Sequence, residues 1–327
     1  MIVIVLTLGT LSCKDKEADV EFMNLPISFD VQTVGTDTRA TRYSSESAFA
    51  GQSFGIYGWN NSNASIYNNS TVSKTGGKWK AGGTTQYWEK DKSYTFEAVY
   101  PRISGSPAEG LRSFTTAIDP GSVSFSYKVP STTTSTNAKD IMFAYYSGTG
   151  IQDGDYRAAK LTFTHPLTCV NFTAGTMTGI TQINSISIAG VYQQGTCTVR
   201  TTTDSNSRQC YSYEQAGTGN VSLWNTSGSS KITVTGSKNV TPANLSDAAY
   251  NFLLIPQIVT TDAPVNVTVN YVASNGDGMS ATVSVPAITW RAGYYYTYSL
   301  DFTGYNIVIN PVTVAPWGTE HINVQLN

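Results

Sequence analysis

The sequence is expected to fold as an all-β protein with two tandem β-sandwich domains. Three observations carry that expectation. Apolar residues recur at every second position in short runs bounded by Gly, Pro, Asn and Ser. The chain holds 20 Tyr, 12 Phe and 6 Trp, residues that suit a pleated, half-buried surface, and it lacks long Leu/Glu/Lys/Ala stretches. At 327 residues it is long enough to build two cores of ordinary size. Charged residues make up only 13% and the net charge is −2, so the basic patch that nucleic acid or a strongly anionic membrane surface requires is missing.

Taken in order, Met1–Ser12 is almost purely apolar and reads as the core of a secretory signal. It is too short to span a bilayer, which takes about 20 residues. No Lys or Arg precedes it, so the signal peptide reads as incomplete. Thr10-Leu11-Ser12-Cys13 is similar to a bacterial lipobox, which makes Cys13 the candidate lipidation site and residues 13–24 a lipidated linker. More than one acyl chain would anchor it stably in the outer membrane, at about 0.8 kcal/mol per buried CH₂. Lys14-Asp15-Lys16-Glu17 reads as a surface-export signal or a solvated linker.

A strand pattern follows, with Ile27, Phe29 and Val31 on one face and Ser28, Asp30 and Gln32 on the other. The segment after it is rich in turn residues and carries Arg39 and Arg42. Strands are then expected at Phe54–Trp59, Tyr94–Tyr100, Ser122–Val129 and Ile141–Tyr146, the last brief, aromatic and buried on both faces. Asn60–Ser70 reads as an Asn/Ser-rich loop. Residues 25–150 form the N-terminal domain, closed by the Gly/Ser/Asp stretch Ser147–Asp155. The C-terminal domain, 156–327, opens with Ala159–Phe172. Its strands continue at Ile183–Ile188, Gly195–Thr201, Val221–Trp224, Ile232–Val234, Phe252–Gln257, Val265–Tyr271, Ala281–Val285 and Tyr294–Phe302. Residues 320–327 end the chain on another alternating strand, with Ile322, Val324 and Leu326 together.

Little in the sequence points to catalysis. No nucleophile elbow, Cys/His pairing, H-E-x-x-H or phosphate loop is present. His165, beside Leu161 and Phe163, reads as a packed histidine. No metal or cofactor is expected, since the cysteines lack C-x₂-C spacing. Cys197 and Cys210 flank the polar stretch Thr201–Arg208 and could close a hairpin disulfide worth about 3 kcal/mol. Cys169 then remains as a buried thiol. Trp59, beside the Asn-rich loop, is the candidate contact for a host glycan or protein, with Trp79, Trp88 and Trp224 as further stacking surfaces.

Several short motifs, in order, resemble the fimbrillin (Mfa-like, type V pilin) proteins of Bacteroidales. They are Cys13, Thr38-Arg39-Ala40, Phe54-Gly55-Ile56-Tyr57, Tyr87-Trp88 leading to Tyr94-x-Phe96-x-Ala98-x-Tyr100-Pro101, and Asp140-Ile141-Met142-Phe143-Ala144. Leu161-x-Phe163-x-His165-Pro166-Leu167, Leu254-Ile255-Pro256-Gln257, Trp290-Arg291-Ala292-Gly293 and Val314-Ala315-Pro316-Trp317 complete the series. The resemblance implies two transthyretin-like sandwiches in a non-enzymatic pilus subunit, exported as a lipoprotein to the cell surface and fimbrium. It implies that an arginine-specific surface protease cuts after Arg39 or Arg42. The first strand would then leave and a strand donated by another pilin subunit would replace it. Ile27, Phe29 and Val31 would be the displaced residues, and Ile322, Val324 and Leu326 the donated ones. The alternative is a tip or surface adhesin binding host glycan or protein.

Overall fold

A computed structural model describes residues 25–33, 51–62, 64–89, 92–105, 107–117, 122–134, 138–149, 158–203, 209–211, 224–303 and 306–316. Among them the regular structure is β, apart from two 3₁₀ turns at Pro242–Asn244 and Ala248–Tyr250. In chain order the first strands are β1 (Phe29–Thr33), β2 (Ser53–Asn60), β3 (Ser65–Thr75), β4 (Lys78–Ala81), β5 (Ser93–Tyr100), β6 (Gly110–Ala117), β7 (Ser122–Lys128), β8 (Met142–Thr149) and β9 (Ala159–Phe163). Next come β10 (Thr168–Met177), β11 (Ile180–Tyr192), β12 (Gln194–Thr203), β13 (Gln209–Tyr211), β14 (Trp224–Asn225), β15 (Lys231–Val240) and β16 (Phe252–Leu254). The last are β17 (Gln257–Val259), β18 (Asn266–Ala273), β19 (Gly278–Ser284), β20 (Ile288–Trp290), β21 (Tyr294–Thr303), β22 (Asn306–Ile309) and β23 (Thr313–Pro316).

The first sheet has the order β8-β5-β2-β3-β4-β1-β9. It curls until its ends meet. Phe143 of β8 and Thr164, just past β9, exchange both backbone hydrogen bonds at 3.2 and 3.0 Å. Rings from strands that are not sheet neighbours therefore touch across the interior. Phe54 of β2 lies 5.0 Å from Phe163 of β9, and Phe29 of β1 lies 5.4 Å from Phe96 of β5, both edge-on. Edge-on aromatic pairs contribute about 0.5–1.5 kcal/mol beyond their buried area.

The second half packs two sheets face to face. One runs β16-β10-β21-β22, with β23 also on β21; the other runs β15-β11-β18-β19. Val170 and Phe172 of β10 and Tyr298, Leu300 and Phe302 of β21 fill the inner face of the first. Ile183, Ile186 and Ile188 of β11 and Val267, Val269 and Tyr271 of β18 fill the other. The Tyr271 and Phe302 rings meet edge-on at 5.1 Å between them.

Two pairings cross the stretch 147–155 where composition shifts. β9 belongs to the first sheet, running parallel to β1 and registering Phe29 with Ala159 and Thr33 with Phe163. The β6–β7 hairpin joins β12, β13 and β14 in a shared antiparallel sheet, through β7 and β12. That sheet packs on the outside of the first, where Phe125 lies 5.9 Å from Phe143 and Phe114 stacks on Tyr57 at 5.5 Å. β5 and β8 are thus covered on both faces, which accounts for the uninterrupted apolar run Ile141–Tyr145. Ala159–Phe172 comprises β9, a four-residue joint, and the start of β10.

Asn60–Ser70 is not a loop either. After a short turn, β3 begins at Ser65 and buries Tyr67 and Val72. Its polar look comes from an outward face rich in Asn and Ser. Asn69 adopts a left-handed backbone (φ 49°), which Asn tolerates, and its side-chain amide donates to the Ile103 carbonyl at 2.8 Å.

The joint at Thr164–Leu167 is pinned from several sides. The Trp224 indole N–H donates to the Pro166 carbonyl at 3.0 Å in a buried bond, and the Gly293 N–H donates to the Leu167 carbonyl at 2.8 Å. His165 Nδ1 lies 2.9 Å from Asp140 Oδ2, and both side chains are buried. Trp224→Phe keeps the ring against Phe125 but removes the donor. It should destabilise the chain by about 1–3 kcal/mol, the cost of a buried acceptor losing its partner, as a lower denaturation midpoint in urea.

Candidate functional site: the seat of the first strand

β1 sits between β4 and β9. On the β4 side Phe29 registers with Trp79 in antiparallel sense. On the β9 side five residues run parallel. The approach to β1 is also held, with the Ile27 N–H donating to the Gln86 carbonyl at 2.8 Å and the Trp88 N–H to the Leu25 carbonyl at 3.0 Å. The Ala159 N–H donates to the Ser28 carbonyl at 2.9 Å. These bonds satisfy backbone groups on both flanking strands that would otherwise form an adhesive edge.

The side chains explain why this segment occupies the seat. Ile27, Phe29 and Val31 are 3%, 3% and 1% exposed, whereas Asp30 faces solvent. A one-residue slip would turn all three outward, so the register is strongly specified. Phe29 reaches between Tyr67 and Phe96, with ring centroids at 6.2 and 5.4 Å. Trp79, Leu161 and Phe163 belong to the same apolar cluster. Burial holds the Tyr67 and Tyr94 hydroxyls above the ordinary phenol range, so both remain neutral at physiological pH. The seat is an apolar, uncharged slot fitted to alternating side chains.

Ile27, Phe29 and Val31 therefore share one face inside the core, as their alternation predicts. Cys13, Arg39, Arg42, Ile322, Val324 and Leu326 lie outside the described residues. By position, both arginines fall in the connection between Thr33 and Ser53.

Two expectations are corrected. Cys197 is a free, buried thiol, and the register places Cys210 opposite Thr202, well along β12 from Cys197. Five residues of extended strand separate Cys197 from Thr202, roughly 16 Å at about 3.3 Å per residue, beyond the reach of a disulfide. Cys197 instead registers with Trp224, and burial pushes its thiol pKa well above the ordinary value. Trp59 is only 8% exposed, and Trp79, Trp88 and Trp224 are also buried, so none offers an open ring face for a sugar. His165 is packed, as expected, at 2% exposure against Asp140. The walls of the seat went unrecognised in the sequence. Tyr67 lies in the stretch expected as a loop, and Trp79 is expected as a stacking surface; Tyr67 and Val72 are five residues apart, so no period-two signal links them.

Residues 38–317 match the sequence profile of the fimbrillin-like family, and the chain belongs to that family. It is a structural, non-enzymatic protein of a cell-surface fimbrium, a role that entails assembly with other pilin subunits. Solved structures share its fold. A fimbrial protein from Bacteroides vulgatus aligns with a TM-score of 0.53 at 15% identity, covering 90% of this chain and 100% of that one. A candidate cell adhesion protein from Bacteroides ovatus aligns with a TM-score of 0.54 at 14% identity, covering 90% and 98%. Another from Bacteroides uniformis aligns at 0.51 and 17%, covering 89% and 99%. A search of curated proteins found no match.

Phe29→Ala should lower stability by about 3–5 kcal/mol, the range for truncating a buried aromatic, whereas Asp30→Ala should stay within about 0.5 kcal/mol. Equal urea midpoints for the two variants would show that β1 is not part of the core.

Proposed function

We propose that the chain is a fimbrial subunit whose first strand is a temporary occupant of its seat. It is exported as a lipoprotein through Cys13 and reaches the outer membrane surface. An arginine-specific protease cuts after Arg39 or Arg42, in the connection that follows β1. Severed from the body, β1 leaves with its lipid, and residues 320–327 of another subunit fill the seat.

The observation that carries this reading is the position of β1. It lies between two strands of a closed sheet, buries Phe29 and Val31 together with Ile27 just before it, and precedes a connection holding both arginines. Its alternation is repeated by Ile322, Val324 and Leu326. Three fully buried side chains contribute about 1.5–3 kcal/mol each, a sum comparable with the 5–15 kcal/mol stability of a whole domain. The seat therefore cannot stand empty without cost, and departure of β1 is coupled to arrival of a substitute. In this reading each subunit receives one strand and donates another, so donation runs head to tail and generates a filament.

Replacing both Arg39 and Arg42 with Ala should leave full-length, lipidated monomer on the cell surface, read by mass spectrometry and by loss of high-mass ladders on unheated gels. Filaments of normal length from that variant would refute cleavage in this connection. Deleting residues 320–327 should leave cleavage intact but stop the chain from donating; unchanged ladders would place the donor elsewhere.

A further inference from the structure

The outer face of the shared antiparallel sheet carries a second feature, independent of strand exchange. Antiparallel partners project to the same face. The register thereby aligns Ser113, Ser126, Thr196 and Asn225 in one row across β6, β7, β12 and β14. Thr115, Ser124 and Thr198 form the next row. The opposite face of the same strands is apolar and buried, with Val123, Phe125, Cys197 and Val199.

A pocket of about 260 Å³ opens over the first row, lined by Arg112, Ser126, Gln194, Gly195, Thr196 and Asn225 among others. This is below the ~300–1,000 Å³ of sites for drug-sized ligands and suits a single sugar ring. Arg112 arrives there through a β-bulge. The register jumps between Leu111 and Ser113, leaving Arg112 as the extra residue, and such bulges re-aim a side chain. Among the described residues no carboxylate pairs with Arg112, and none lines the pocket. Gly195, between Gln194 and Thr196, faces the buried side, where a Cβ would come within 3.1 Å of the Trp224 ring and 3.2 Å of Thr226. The Asn225 side-chain oxygen accepts the Ser227 N–H at 3.0 Å, which orients its NH₂ as a donor. Ser113 and Ser126 share a hydroxyl hydrogen bond at 2.6 Å.

We propose that this pocket binds a carboxylated sugar residue of a glycan. The Arg112 guanidinium has the planar fork that grips a carboxylate through two hydrogen bonds. The amides of Gln194 and Asn225 and the hydroxyls of Thr196 and Ser126 supply the mixed donors and acceptors that ring hydroxyls require. A simple inorganic anion would use the guanidinium and leave the hydroxyl row without a partner.

The test titrates the purified full chain with D-glucuronate, N-acetylneuraminate, D-glucose and inorganic phosphate, followed by calorimetry and saturation-transfer NMR. At least one of the two acidic sugars should bind, at least tenfold more tightly than glucose and than phosphate. Arg112→Gln should weaken it by about 10–100-fold, the equivalent of a hydrogen bond to a charged group, and Thr196→Val by a smaller factor. Both positions are exposed, so unchanged melting curves are expected and check that the variants fold. Four outcomes would overturn the proposal: no saturable binding of either acidic sugar, equal binding of glucose, equal binding of phosphate, or undiminished acidic-sugar binding by folded Arg112→Gln. Because the assay needs no filament, its failure would leave the assembly reading untouched, and failure of that reading would leave this one standing.

Discussion

The parallel pairing of β1 with β9 is the contact on which the first sheet depends. A curled sheet stays closed only if every neighbour in the ring is paired. β1 supplies the link between β4 and β9, while the Phe143–Thr164 bridge supplies the one between β9 and β8. Parallel ladders are slightly weaker per residue than antiparallel ones, and the β4 side offers only a single registered pair. Much of the hold on β1 must therefore come from Ile27, Phe29 and Val31. The strand is fixed by packing more than by its ladder, and that combination allows a segment to be exchanged for another of the same alternation.

The seat is also tied to the second half of the molecule. β9 forms one wall, and only four residues separate it from β10 in the other core. Those residues are held by Trp224, Gly293 and Asp140, side chains and backbone from three distant parts of the chain. The shared antiparallel sheet adds a second clasp, with β7 of the first half laid against β12 of the second. The two halves are thus interlocked rather than strung in series. A wall anchored in this way keeps its shape when its neighbour strand changes, which a slot must do if it is to be refilled.

Much of this architecture was legible in the residues, for identifiable reasons. Strands with one buried face announce themselves by alternation, as Ile27–Val31, Val265–Tyr271 and Tyr294–Phe302 do. Ile141–Tyr146 was readable as doubly covered because both of its faces are apolar. The partners of these strands were not readable. The joining of β1 to β9, and of β7 to β12, is long-range pairing, which leaves no mark on either strand alone. The compositional shift at 147–155 suggested a boundary because a polar linker and a polar surface loop look alike. β3 was hidden because Asn and Ser dominate its outward face, and its inward residues, Tyr67 and Val72, fall on opposite sides of the backbone irregularity at Asn69. The Cys197–Cys210 pairing failed for a related reason. Sequence separation gives loop length, but the register of β12 decides how far apart the two residues lie.

The shape of the seat also constrains what can replace β1. Backbone hydrogen bonds are reproduced by any strand in register, so the ladder cannot discriminate between occupants. Discrimination falls to the side chains, above all at the Phe29 position, where Tyr67 and Phe96 surround the ring. In the proposed exchange, aligning Ile322, Val324 and Leu326 with Ile27, Phe29 and Val31 in the same order sets Val324 in the largest compartment. The aromatic contacts made by Phe29 would be lost and a void left, at about 24 cal/mol per Å³ of unfilled volume. A shift by two residues would keep the same face inward and bring Leu326 there instead, with Val324 in the Ile27 compartment. That register sets a larger aliphatic side chain against Tyr67 and Phe96 but still lacks the ring that Phe29 supplies. Neither alignment of this chain's own terminus matches the fit of β1. In the proposed exchange, a donor whose central residue is aromatic would therefore match this seat best.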